Sequence, residues 1–182
     1  GEENQRYGIA SDREDTAHLA YAAVAPHVDK GVWTADVKLG SEWAEGVTFP
    51  MPGLHNVSNA LAALALAHRA GAPMDICLQR LKTFKGINRR FTYHIREEFG
   101  VYIDDYAHHP SELNAAIEAA RAQHPGKEIT GIFQPHLYSR TRDHLVEFGA
   151  VLSQLDRVIL LPIYAAREKP IPGIDSQTLF EN

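Results

Sequence analysis

The sequence predicts an α/β protein whose second half forms a mostly parallel sheet covered by helices. Three observations carry this. From residue 91 onward, apolar strand-like runs alternate with helical stretches. The runs 129–133 and 158–163 are apolar without alternation, as in strands covered on both faces. Near 86–89 the rhythm changes, and GINRR leads out of a helical stretch into the alternating half. A domain boundary is expected there, dividing 1–87 from 88–182.

Taken in order, 7–10 reads as a strand, 32–39 (VWTADVKL) as a better one, and 47–49 as a short third; the rest of 1–50 carries little pattern. Residues 54–70, LHNVSNALAALALAHRA, form a helix, because Ala and Leu dominate it. Apolar residues wrap most of its circumference, so it is expected to be buried. Gly71 and Pro73 stop it. A second helix runs over 74–84 and ends before Gly86. Stretches 91–96 and 101–105 alternate like a hairpin. Residues 110–124 follow as a helix with Leu113, Ala116, Ile117 and Ala120 on one face. After strand 129–133 comes a helix over 141–155 striped by Leu145, Phe148, Leu152 and Leu155, then strand 158–163. Asp175 or Ser176 can cap a last helix of about one turn.

Bulk properties exclude some functions. The 182 residues are 45% apolar and 23% charged, which supports a packed core in one domain or two small ones. A net charge of −5 does not suit a generic nucleic-acid surface. No apolar run approaches the ~20 residues of a membrane helix, and no basic-then-apolar secretory signal opens the chain. Cys77 stands alone, so neither a disulfide framework nor a cysteine zinc cluster is expected, as suits the cytoplasm. The start GEENQRYG and the end DSQTLFEN read as cuts within a longer protein.

In open α/β sheets ligands sit beyond the carboxyl ends of strands. That rule selects loops 104–111, 134–142 and 163–173. The first is DDYAHHPS. Strand alternation separates Asp104 from Asp105, and the adjacent His108 and His109 are poorly placed to chelate one ion. A strand-end Asp can accept from ribose hydroxyls, and a helix opening at Pro110 offers N–H groups to an anion; the competing reading is a solvated capped turn. The second loop, within FQPHLYSRTRDH, crowds His136, Arg140 and Arg142 around a turn that Ser139 or Thr141 can cap. Arginine forks suit carboxylates and phosphates, although arginines also sit idle on surface loops. His55 and Asn59 lie four apart at a helix start and can bind a flat heterocycle; the competing reading is N-terminal capping by Asn56 or Ser58, with a buried polar pair. Arg89-Arg90 can reach a phosphate or merely aid solubility. No GxxxxGK[ST] loop, GxSxG or HExxH is present, so any main ATP phosphate cradle lies outside these residues.

Together, PGLHNVSNALAALALA (52–67), GINRRF (86–91), DDYAHHPSE (104–112), FQPHLYSRTR (133–142) and IYAAREKPIPG (163–173) resemble the Mur ligases. The last two favour the branch that adds L-alanine to UDP-N-acetylmuramate. The resemblance implies a Rossmann-like, mostly parallel sheet with helices on both faces in 88–182. It implies that 1–87 is the incomplete end of a central ATP-binding α/β domain. It also implies an ATP-dependent, ADP-forming ligase acting through an acyl phosphate, with ATP and Mg as cofactors and the Mg ligands outside this stretch. By the same resemblance His55 and Asn59 contact adenine, Arg90 the phosphates and Asp105 the ribose. Tyr106, His108 and Arg140 line the alanine site, and His136 the neighbouring substrate site. Arg140 is expected on the alanine carboxylate and His108 at its amine, while Asp104 and His109 become structural. Residues 86–91 are the expected hinge. Leu137 stands where the family frequently has arginine, and Pro162 and Ala165 where Asp and Pro are expected, which keeps a peptide-adding paralogue in view. Two readings of other classes stand beside it: a non-catalytic nucleotide-binding module, and a metallohydrolase built on Asp104, Asp105, His108 and His136.

Overall fold

The structure is a computed structural model and describes residues 6–181. The chain divides into two compact units, Gly1–Asp104 and Asp105–Asn182.

In the first unit, β1 (Tyr7–Ala10), β2 (Tyr21–Asp29), β3 (Val32–Leu39) and β4 (Glu42–Phe49) form one sheet in that order. β1 pairs parallel with β2, and the other pairs are antiparallel. The sequence reading missed β2, because Pro26 in YAAVAPHVD looks like a breaker. The register slips between Val24 and His27, so the proline falls in a bulge and removes no ladder hydrogen bond. β4 begins earlier than expected. A two-residue turn at Gly40 (φ 63°) folds it directly onto β3, with Leu39 opposite Glu42.

Helices α1 (Leu54–Arg69) and α2 (Met74–Lys82) pack on this sheet. The expectation that α1 is buried all round is corrected. Val57, Leu61, Leu64 and Ala65 form one buried stripe at helical spacing, while Leu66 is 71% exposed. Alanine supplied the apparent all-round apolarity. α1 ends as expected: Gly71 takes φ 91°, its N–H donates to the His68 carbonyl, and Ala72 N–H donates to Ala67. The core joins Val37, Leu39 and Phe49 of the sheet to Val57 and Leu61 of α1 and Cys77 of α2. The hairpin β5 (Thr92–Arg96) and β6 (Val101–Asp104) completes the unit. β5 starts one residue later than expected, because Phe91 has a left-handed φ of 49°.

The second unit contains α3 (Pro110–Gln123), β7 (Thr130–Phe133), α4 (Tyr138–Asp143), α5 (Leu145–Leu152), β8 (Arg157–Leu160) and α6 (Ser176–Phe180). β7 and β8 are parallel, with Phe133 opposite Leu160, so the β-α-β crossover expected between them is present. The single helix expected over 141–155 is corrected to two. His144 leaves the helical region (φ −124°, ψ 27°), and its ring packs against those of His109 and Phe148. The expected stripe nevertheless reaches the core, where Phe148 and Leu152 meet Phe133 and Leu179, with Leu145 and Leu155 beside them. On the alternate positions Ile132 is 65% and Ile159 49% exposed. Asp175 caps α6 by accepting from Thr178 N–H at 2.8 Å, as expected. The class is α/β, with mixed sheets that contain parallel pairs. Among the described residues no helix is long and apolar enough to cross a membrane.

Candidate functional site

The first loop turns tightly after β6. Asp104 belongs to the hairpin, where its carboxylate lies 3.3 Å from Arg89 Nε and 3.8 Å from His94 Nε2. Asp105 accepts from Ala107 N–H at 2.8 Å, which folds the chain back on itself. Tyr106 is half-exposed, and its ring meets that of His108 edge-on at 5.4 Å. His108 Nδ1 lies 3.0 Å from the Tyr106 carbonyl and 3.3 Å from Glu112 Oε2. Both partners are acceptors, so Nδ1 carries a proton, and the neutral form of the ring has its lone pair on Nε2. That is the tautomer a base needs.

The N–H groups expected to await an anion at Pro110 are partly used from within. His109 Nδ1 accepts from Ser111 N–H at 3.4 Å, and Glu112 accepts from His108 N–H at 3.0 Å. Pro110 at the first helical position leaves no donor to satisfy.

The second loop runs from β7 into α4. The expectation that Ser139 or Thr141 caps this helix is corrected. Leu137 is the N-cap, with a left-handed φ of 73°. Thr141 is fully buried and donates from Oγ1 to the Leu137 carbonyl at 2.8 Å. Ser139 gives its N–H (2.9 Å) and its hydroxyl (2.5 Å) to the two oxygens of Glu168. His136 stacks on Tyr164 with ring centroids 5.4 Å apart, and the two residues form a parallel bridge. Arg140 NH1 lies 3.5 Å from His136 Nδ1. Arginine only donates, so this nitrogen of His136 is the acceptor. The Glu168 carboxyl is held below the usual carboxylate range, first by the Ser139 hydroxyl and then by the Ser139 N–H, with Arg140 adding attraction.

In the first unit His55 is half-buried and Asn59 exposed, one turn apart on α1. Asn59 stands on the wall of a cavity of about 430 Å³, beside Asn56, Ile76, Phe84 and Ile87. Neither Asn56 nor Ser58 caps α1. Gly53 does so with φ 97°, and Asn56 instead donates to the Pro52 carbonyl at 2.7 Å. Arg90 is exposed on a turn closed by its own N–H to Ile87. Among the described residues, no group of three or more His, Cys, Asp or Glu side chains is arranged to hold a metal ion.

The family described as "Mur ligase, glutamate ligase domain" matches residues 89–182, just over half of the chain. The chain belongs to the Mur ligase family. It is 45% identical over 168 residues to the UDP-N-acetylmuramate–L-alanine ligase of Flavobacterium johnsoniae, covering 92% of this chain and 37% of that one. It is 50% identical over 137 residues to the enzyme of the same name from Porphyromonas gingivalis, covering 75% and 30%. A crystal structure of the UDP-N-acetylmuramate–alanine ligase of Thermotoga maritima superposes with TM-score 0.68 at 28% identity, covering 80% of this chain and 32% of that one. The chain thus spans about a third of the length of the curated relatives it matches.

For this Mur ligase, sequence reasoning overlooked three partners of its candidate residues: Glu112, Tyr164 and Glu168. Glu112 carried a legible signal, since an acid on the first turn of a helix pairs with residues just before it. Tyr164 and Glu168 lie in the third selected loop, 163–173, but their partners were not legible, because they meet the His136–Arg140 loop only through the fold.

Proposed function

We propose that the whole protein is an ATP-dependent, ADP-forming carbon–nitrogen ligase of peptidoglycan precursor synthesis in the cytoplasm, joining L-alanine to UDP-N-acetylmuramate. The observation that carries the chemistry is His108, whose Nδ1 is committed to the Tyr106 carbonyl and Glu112 while Nε2 keeps its lone pair. A carboxylate oxygen of the sugar acid attacks the γ-phosphorus of ATP, and ADP leaves. The alanine nitrogen then attacks the acyl-phosphate carbon, inorganic phosphate leaves, and the amine proton passes to a base. His108 Nε2 takes that proton. Arg140 grips the alanine carboxylate, where two parallel N–H donors fix its plane. Tyr106 walls the same site, and His136 meets the neighbouring sugar substrate. His55 and Asn59 hold adenine, Asp105 the ribose and Arg90 the phosphates.

Phosphoryl transfer relies on positioning and charge neutralisation, which the phosphate loop and Mg supply when present. The same reading assigns the Mg ligands, like the phosphate loop, to residues outside these 182. These 182 residues are therefore expected to release no ADP alone. We put the domain boundary at 87/88, a reading supported by the family match starting at residue 89, although the compact units divide later, after Asp104.

The test is ADP release by the full-length protein with ATP, L-alanine and UDP-N-acetylmuramate. Release that depends on both substrates, and falls at least tenfold with Arg140→Ala through a raised KM for alanine, is the expected result. Release supported by a peptide but not by L-alanine would transfer the assignment to a wall-recycling paralogue. Tight ATP binding by residues 1–182 alone would favour a nucleotide-binding module.

A further inference from the structure

Glu168 lies on the third selected loop, 163–173, and its charge attracts Arg140. Both of its carboxylate oxygens are nevertheless committed to the residue before Arg140: Oε2 accepts the Ser139 N–H at 2.9 Å and Oε1 the Ser139 hydroxyl at 2.5 Å. α4 has only six residues, and its N-cap contributes no side-chain hydrogen bond. Without Glu168 the Ser139 N–H would be one of the unpaired donors that leave a first turn free to fray.

The same segment grips the loop again four residues earlier. Tyr164 N–H donates to the Pro135 carbonyl at 2.8 Å, and Leu137 N–H donates to the Tyr164 carbonyl at 3.0 Å. A turn closed by Glu168 N–H to Ala165 at 2.9 Å carries the chain from one grip to the other. Between the grips lies Leu137, at φ 73° and ψ 132°, a backbone conformation an L-residue holds only when its surroundings enforce it. Thr141 supplies the inner side of that enforcement through its N–H (3.1 Å) and hydroxyl (2.8 Å) on the Leu137 carbonyl.

We infer that Glu168 is a positioning residue for recognition of the incoming amino acid: it fixes the first turn of α4 so that Arg140 meets the substrate carboxylate with its aim already set. The inference rests on the proposed role of Arg140. Glu168 suits the task because both oxygens are spent on Ser139. The hydrogen bonds of Glu168 to Ser139 leave its charge to attract Arg140 without a direct bond, and the guanidinium, whose NH1 lies 3.5 Å from His136 Nδ1, keeps donors for an outside carboxylate. A side chain held in its bound geometry loses less freedom on binding.

Glu168→Gln keeps the size but removes the charge and replaces one acceptor oxygen with an NH2 donor, so the Ser139 hydroxyl must turn from donor to acceptor and the charge-assisted clamp is lost. In the full-length enzyme it should raise KM for the accepted amino acid about tenfold, with kcat and the KM values for ATP and UDP-N-acetylmuramate within about twofold. Ser139→Ala, which removes one of the two bonds, should raise the same KM by a smaller factor. A fall in kcat at unchanged amino-acid KM would mark a folding role only and overturn the inference. Amide exchange at Ser139 gives a readout independent of the reaction. It should quicken in Glu168→Gln; an unchanged rate would also overturn the inference. A wild-type enzyme that released no ADP with any amino acid would sink the proposed reaction instead, and leave the exchange rate to decide the clamp.

Discussion

His55 and Asn59 stand on a helix whose inner residues Val57 and Leu61 are fully buried against a four-stranded sheet. His108 and Arg140 stand in loops and a single short helix, and their neighbours are carboxylates, carbonyls and rings. The first unit sets its candidate residues through apolar burial, which fixes a whole helix in register. The second sets them one polar contact at a time. Burial is non-directional and tolerant of small shifts, whereas each loop contact has one geometry and a charge that pH or mutation can remove.

The largest expected effect is on the apolar side. Leu61→Ala should cost about 2–5 kcal/mol, read from denaturant unfolding. A loss under about 1 kcal/mol would mean that packing does not hold α1, and the comparison would break.

Next comes Glu112→Gln in the full-length enzyme. With the charged partner gone and the ring oriented mainly by the Tyr106 carbonyl, turnover should fall about tenfold in kcat at unchanged KM values. An unchanged kcat would separate Glu112 from the chemistry.

Thr141→Val keeps the shape but removes the hydroxyl on the Leu137 carbonyl. A cost of about 1 kcal/mol is expected, with faster amide exchange through α4. His109→Ala removes the N-cap contact of α3 and should cost about 1 kcal/mol.

The smallest effect sharpens the comparison through acid. The Asp156 carboxyl is held low, first by the Ile129 N–H and then by Arg121. Asp175 and Glu168 are also held low, by Thr178 and Ser139 respectively. A carboxyl lowered on folding contributes stability that is fully present above its unfolded value, about 3.9 for Asp. That contribution is lost as pH falls through the folded value. Asp156→Asn should therefore flatten the acid limb of Tm against pH in the second unit, leaving Tm near neutrality shifted the most.

How much was legible follows the same division. The stripe Leu145, Phe148, Leu152 and Leu155 was readable, because helical spacing is local, and all four reach one core. The break at His144 was not, since it comes with ring contacts to His109 and Phe148. β2 was hidden by Pro26, which a bulge accommodates only once β3 is beside it. Loops 104–111, 134–142 and 163–173 could be singled out, since strand ends are marked in sequence. Their internal braces could not: Ser139 and Glu168 are 29 positions apart, and nothing at either position names the other.

By itself the sequence determined the α/β class, the positions of most helices and strands, and the ordered motifs that mark a Mur ligase. Propensity, periodicity and motif spacing all act within a few residues of each other. Only the tertiary structure decided which nitrogen of His108 keeps its lone pair, how Leu137 is held at a left-handed φ, and which carboxylate steadies the turn that carries Arg140. Each of those depends on a partner brought near by folding, and a hydrogen bond exists only at the distance and angle that folding sets.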